Sequence, residues 1–435
     1  MTTKKVLGLN LLIWFFLQLP AVISYADDAL VLPKGVFRTT LDNNAYLPID
    51  KRYNPDGKVE DAATDFNTHL NSDVFPALKP LDAFFGPGGK ASIGDSIVSF
   101  KYKVDILELG LQYGLTDDIT VGMKIPYWWF RNRVKARVNS APGSSANVGK
   151  NPALLCGSPI CPLVVPGTVR LTTEDVQGLL GPGLTIGPVT IPGFGFKRFQ
   201  SWEGNGLSDI EAGFRYQYLK TQDWRLAFTG GWRFPSGRVD DIDNLTDYQF
   251  GSGAYAMLFR FNHDYVIRNL WKHAPKGQGE GGVAPAPGDL VLNATFRYDL
   301  VFADKIKKRV SSDPNIPISA TKEIVNRNIG DNFEWEASAK YGLLEGLSFS
   351  GTYKYGFKNK DRVTGSIGHI AGLEGETRSN EQVYIVALSY STVPLYAQKK
   401  FFLPLNATIS YRNRFAGSNN VLRSQFINAG LQLFF

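Results

Sequence analysis

The sequence predicts an all-β protein: a closed antiparallel transmembrane β-barrel of about 12 strands, with short periplasmic turns and long extracellular loops. Three observations carry this expectation. Period-2 alternation of apolar and polar residues recurs along most of the 435 residues, as expected of strands with one face in a nonaqueous phase. The connections between these segments are short and long in turn. The chain closes on AGLQLFF, where Ile427, Ala429, Leu431, Leu433 and Phe435 share one side, so an apolar stripe runs to the last residue.

The first residues bear on the compartment. Lys4 and Lys5 precede an apolar stretch from Val6 to Leu19, and Ser24-Tyr25-Ala26 offers a small-x-small cleavage site. This reads as a secretory signal peptide over 1–26 followed by a single barrel domain over 27–435. The apolar run is shorter than the ~20 residues of a spanning helix. The most apolar later stretch, Gly178 to Phe196, is interrupted by Gly181, Pro182, Gly183, Gly187, Pro188, Pro192 and Gly193, which oppose a helix there. Aromatic residues at 13% and 44 glycines suit a barrel. Removing Lys4 and Lys5 lowers the formal charge of +7 by two, too small a surplus for a nucleic-acid footprint. Cys156 and Cys161 sit in one Pro/Gly-rich segment, and outside the cytoplasm they are expected to form a small disulfide loop, two free thiols being the other reading. Two cysteines do not close a zinc site, and neither a metal nor a cofactor is expected.

Taken in order, the strands are expected at 34–48, 97–114, 118–136, 207–220, 223–236, 248–262, 288–303, 332–344, 346–359, 381–393, 401–415 and 420–435. An even number suits a bacterial barrel. LTDD, KTQD, LEG and PLYAQKK form the short turns, while 49–96, 137–206, 304–331 and 360–380 are long; residues 263–287 break the rule as a long periplasmic connection. Strand 118–136 is the sharpest test of lipid against protein core. Its odd positions read Ile119, Val121, Met123, Ile125, Tyr127 and Trp129, then Arg131, Arg133, Lys135 and Arg137. Ten steps at ~3.3 Å tilted by ~40° span about 25 Å, the height of an apolar band, and the cations beyond it are placed for lipid phosphates and lipopolysaccharide. In 97–114 the alternation changes phase between Ile106 and Leu107, which suggests a bulge. Strands 248–262 and 381–393 do not declare an outward face.

Several motifs carry a resemblance. YGLTDDITVGMKIPY (Tyr113 to Tyr127), GLSDIEAGFRYQYL (Gly206 to Leu219), FPSG (Phe234 to Gly237) and FGSG (Phe250 to Gly253) follow one another as in the outer-membrane family named for the meta-pathway of phenol degradation, and the sequence resembles that family from about Glu108 to Leu300. The resemblance implies a Gram-negative outer-membrane channel for small organic, often aromatic, compounds, without a catalytic residue to carry over. Segment 137–206 is longer than the family's usual connection. The terminal Phe435 is similar to the signal by which outer-membrane proteins engage the barrel-assembly machinery.

The polar faces point inward. They place Glu211, Arg215, Arg225, Arg233, Arg297, Asp299, Glu334, Glu336, Lys340, Lys354 and Lys358 in the lumen, either as an anion-selecting ring or as cross-strand ion pairs that rigidify the wall. The segment before the first strand is too short for a plug domain, which leaves a folded-in loop or the lumen side chains to narrow the passage. Leu180, Leu184, Ile186, Phe194 and Phe196 make an unusually apolar loop, read as a lid or as a segment packed on its neighbours. Asp240, Asp241, Asp243 and Asn244 are either a divalent-cation site or a solvated loop. His69, His263, His273 and His369 are expected in loops or at a strand edge, away from a serine, so hydrolase activity is not expected. An anion-preferring porin and a non-conducting structural or receptor barrel are the alternatives.

Overall fold

The computed structural model describes residues 28–153, 162–165, 169–270, 284–311 and 318–435. Twelve strands form the barrel: β1 (Phe37–Tyr46), β2 (Ser92–Gly114), β3 (Ile119–Asn139), β4 (Ile210–Lys220), β5 (Trp224–Phe234), β6 (Ala256–Ile267), β7 (Leu290–Val301), β8 (Asn332–Leu344), β9 (Leu347–Lys358), β10 (Ser379–Ser391), β11 (Leu405–Gly417) and β12 (Gln425–Phe434). Each pairs antiparallel with its sequence neighbours, and β1 pairs with β12 from Arg38 opposite Phe434 to Tyr46 opposite Phe426. The sheet is therefore closed and has no free barrel edge.

Alternation fixes which side of each strand is wet. Leu41, Met123, Phe214, Phe261, Trp335, Phe349, Leu388, Ile409 and Ile427 point outward and are exposed, although they are large and apolar. No described protein layer covers them, and a belt of this kind is stable against hydrocarbon. On β5, Trp224 packs against Tyr265 at one rim and Trp232 against Phe302 at the other, at ring separations of 4.6 and 5.7 Å. Eight residues at ~3.3 Å, tilted by ~40°, set these aromatic rims about 20 Å apart. Turn chemistry closes the short end. Glu345 and Gly346 alone connect β8 to β9, with Gly346 at φ 76°, where an added Cβ would meet the Ser391 carbonyl.

Three expectations about elements are corrected. Strand 248–262 begins later, at Ala256, because Tyr248 and Phe250 mimic strand aromatics in sequence but belong to a loop whose rings pack inward. The connection 137–206 is not a plain loop. β3 runs on to Asn139, a helix covers Thr173–Leu180, and strand Trp202–Leu207 pairs with the upper part of β3. Thr172 and Asp175 close the helix start with a reciprocal capping box, and the helix stops before Gly181, where the Gly/Pro run begins. The phase change in β2 is not a bulge either. The β2–β3 ladder is continuous from Asp95 opposite Asn139 to Gly114 opposite Thr120. What changes is the surroundings: below Leu107 the apolar side faces outward, and above it Phe100, Tyr102, Val104 and Ile106 face a buried core.

The upper β2–β3 hairpin thus supports a cap at the long-loop end. Leu70, Phe75, Leu78 and Ile93 pack there with Leu171, Leu179, Leu184 and Phe196. Beside it stands a small sheet of Asp304–Arg309, Lys322–Asn328 and Arg362–Thr364.

Candidate functional site: the barrel lumen

The lumen has three levels. At the short-turn end lies a cavity of about 1400 Å³. Residues Asp28 to Pro33 run inside it as an extended strap, although this segment is too short to fold by itself. Lumen side chains satisfy its backbone: Ala29 N–H donates to Asp264 Oδ2 at 3.1 Å and Leu32 N–H to Thr120 Oγ1 at 2.7 Å, while Arg215 and Gln217 donate to the Asp28 and Ala29 carbonyls at 2.8 and 2.6 Å. A strap with its polar groups met this way needs no core of its own. The expectation that only a loop or side chains narrow the passage is corrected accordingly. Both this segment and Phe435 sit at the short-turn end, where the Phe37 and Phe435 backbones bond to each other.

Above the cavity, a belt of charges crosses the barrel. Glu211 is its hub, with Arg233 at 2.7 Å, Arg260 at 3.5 Å, Arg297 at 3.6 Å and Lys124 at 3.7 Å. Asp299 takes Arg297 at 2.7 Å and Arg233 at 2.9 Å; Lys354 lies between Glu334 at 2.9 Å and Glu336 at 3.3 Å; Glu381 takes Arg414 at 2.6 Å. Arg260 and Arg297 face each other across the β6–β7 ladder, and Glu211 and Asp299 lie among these arginines as the counter-charges; elsewhere in the belt each cation has a carboxylate beside it.

Above the belt the lumen is filled by rings. Phe130 stacks on Tyr248 at 4.2 Å and 7°, Tyr248 faces Trp128 at 6.2 Å, Phe100 contacts Phe66 and Phe199 at 5.0 and 6.1 Å, and Tyr46 meets Phe426 at 4.6 Å. Tyr248, Phe250 and Phe199 come from long loops folded into the mouth, Phe66 from the short 3₁₀ turn Thr64–Phe66.

Seven of the residues assigned to the lumen from sequence meet in the belt: Glu211, Arg233, Arg297, Asp299, Glu334, Glu336 and Lys354. Arg215, Arg225 and Lys340 line the lower cavity. Lys358 is buried on Asp361 in β9's upper end. Sequence reasoning missed Lys124, Arg260, Glu381 and Arg414. Strand parity could have found Lys124, since its odd-numbered neighbours point outward. Arg260 and Glu381 sit on the two strands whose faces were undeclared.

Arg131, Arg133, Lys135 and Arg137 are exposed on the outward side of upper β3, and Arg131 meets Glu203 at 2.8 Å. Leu184, Ile186 and Phe196 are buried in the cap, with Leu180 and Phe194 packed against them, and none of the five borders the lower cavity. Cys156, Cys161 and His273 lie outside the described residues. The acidic run is engaged by cations: Asp240 by Lys308, Asp241 by Lys197, and Asp243 by Arg309 and Lys322 at 2.6 Å each. Burial alone would raise the Asp243 carboxyl, but hydrogen bonds and charge from Lys322 and Arg309 hold it below the usual aspartate range. Arg309 also donates to the carbonyls of Phe194, Gly195 and Ser319 and covers the Phe196 ring at 3.8 Å, tying the small sheet to the cap. His263 is corrected to a mid-strand, outward position on β6, and His69 bonds Asp95 at 2.6 Å.

An antiparallel barrel closed on itself, apolar outside and charged within, belongs to the transmembrane β-barrel class. No family model matches the sequence, and no curated protein matches it. Among solved structures, the chain is similar to an outer membrane channel from Pseudomonas putida F1, with 11% identity over 94% of this chain and 98% of that one, at a TM-score of 0.47. It is also similar to a Pseudomonas aeruginosa FadL homologue (9% identity, 92% and 90% covered, TM-score 0.31) and to the TodX deltaS2S3 mutant monoaromatic hydrocarbon channel (10% identity, 93% and 91% covered, TM-score 0.33).

Proposed function

We propose that this chain is a Gram-negative outer-membrane channel for passive passage of small organic compounds, apolar and aromatic ones foremost, and that it is not an enzyme. The observation that carries this reading is the aromatic packing of the upper lumen over an ion-paired charge belt. A hydrated ion entering from the long-loop end meets rings that offer it few polar partners, and desolvation opposes its entry. An aromatic solute exchanges one ring contact for another and keeps most of its dispersion energy. The resemblance to the phenol meta-pathway family favours the same solutes. Export through a cleaved signal peptide over 1–26, one barrel domain over 27–435, assembly through Phe435 and a Cys156–Cys161 disulfide belong to this reading.

The paired belt speaks against an anion-preferring porin, since focusing an anion needs unbalanced charge. A second reading, a barrel that conducts nothing, draws on the strap below and the rings above. Uptake of toluene, phenol, benzoate and a neutral sugar, compared between cells with and without the protein, separates them. Faster uptake of toluene and phenol than of the sugar supports the channel; equal uptake of all four in both strains supports the closed barrel.

A further inference from the structure

The outward face of the upper β2–β3 hairpin carries cations that neither the lumen nor the cap uses. Lys101 and Lys103 on β2 stand directly opposite Arg133 and Arg131 on β3, and Lys135 and Arg137 continue the row, all six exposed. Like charges facing each other across a ladder destabilise it. Carboxylates answer only the lowest rung, where Lys103 lies 3.8 Å from Asp105 and Arg131 2.8 Å from Glu203. Lys101, Arg133, Lys135 and Arg137 have no ion pair among the described residues. The row rises directly from the outer aromatic rim, where Tyr127 and Trp129 pack at 4.7 Å.

Height identifies the ligand. At ~3.3 Å per residue and a tilt of ~40°, Arg131 stands about 5 Å above Trp129, Arg133 about 10 Å, Lys135 about 15 Å and Arg137 about 20 Å. A phospholipid headgroup layer is only about 5–7 Å thick, so its phosphates reach the lowest rung alone. The upper rungs need phosphates carried well clear of the hydrocarbon, on sugars joined to a lipid anchor. We propose that this face binds a phosphorylated glycolipid of the outer leaflet: lipid-borne phosphate meets Lys103 and Arg131, and phosphates on the outer sugars meet Lys101, Arg133, Lys135 and Arg137. Arginine suits paired phosphate oxygens, and the flanking lysines supply charge without fixed geometry. The site rests on the outer-membrane reading above, takes up the lipid phosphates and lipopolysaccharide expected from the β3 cations, and adds to them Lys101 and Lys103 and an assignment of phosphates to rungs by height.

Native mass spectrometry of the folded barrel in detergent tests the site. The probes are lipopolysaccharide with a phosphorylated core, its lipid A alone, phosphatidylglycerol and inorganic pyrophosphate. The core-bearing glycolipid is expected to bind one to one, and a Lys101→Gln/Arg133→Gln/Lys135→Gln variant to lose at least tenfold in affinity while phosphatidylglycerol adducts stay unchanged. These side chains are exposed, so the variant keeps the heat-modifiable gel migration of a folded barrel. Unchanged glycolipid affinity in the variant, or phosphatidylglycerol, lipid A or pyrophosphate binding as tightly as the core-bearing glycolipid, overturns the proposal. Insertion into planar bilayers is scored in parallel: a chain that inserts but ignores the glycolipid loses this site alone, whereas one that never inserts loses the membrane reading and the site with it.

Discussion

Glu211 holds the lumen's charge in balance, because one carboxylate sits within 2.7–3.7 Å of Lys124, Arg233, Arg260 and Arg297. Removing one partner of a buried ion network is more harmful than removing all of it, since the remaining charges lose their compensation at about 3–5 kcal/mol. Glu211→Gln keeps the shape and deletes the charge. The variant is expected to shift the reversal potential of any residual conductance toward chloride under a salt gradient; an unshifted potential would show that Asp299 suffices to balance the arginines. Arg309 has the corresponding place in the cap, where one guanidinium closes the carbonyls of Phe194, Gly195 and Ser319 and the Asp243 carboxylate. Arg309→Ala is expected to speed amide exchange around 194–196 and 319–325 by at least tenfold while leaving the barrel strands protected. The residues that mattered most were legible as charges on a strand, but their partners were not. Glu211 and Arg233 oppose each other on adjacent strands and follow from register; Arg260, one strand further, required knowing where β6 begins.

The strap and the cap are elements that alternation does not reveal. Asp28 to Pro33 has no strand pattern of its own, and its position follows from acceptors and donors on β3, β4 and β6 that are remote in sequence. Asp264→Ala removes the acceptor for Ala29 and is expected to free the strap, raising single-channel conductance severalfold in a planar bilayer; an unchanged conductance would mean that the rings above are the narrower barrier. The cap depends on carboxylates with lowered affinity for protons. Asp243 and Asp241 are held below the aspartate value of 3.8, burial opposing and the hydrogen bonds and charges of Lys322, Arg309 and Lys197 prevailing. A depressed carboxyl contributes stability in full above its unfolded value and loses it as pH falls through the lower folded value. Protease nicking at 236–247, 304–311 and 318–328 is therefore expected to rise as pH falls below the ordinary aspartate value of 3.8, before the barrel itself opens.

For the whole molecule, the proposed passage has to cross a mouth filled by rings and a lower cavity lined by the strap. Phe130 and Tyr248, stacked at 4.2 Å, belong to β3 and to an inserted loop, so their contact also holds that loop in the mouth. Phe130→Ala combined with Tyr248→Ala is expected to open a water-filled route: ion conductance rises and the uptake preference for toluene over a sugar falls. Retention of both properties would place the route elsewhere in the wall. The sequence by itself determined the number of strands, their closure, the alternation of short and long connections and the apolar outer stripe ending at Phe435, because a period of two and turn chemistry are local properties. Only the tertiary structure decided which phase counts as inside where β2 leaves the membrane, since alternation reports that two faces differ and not what each touches. It alone placed the strap, the ring-filled mouth and the cap, whose partners lie tens to hundreds of residues apart and are fixed by packing and by the satisfaction of buried polar groups.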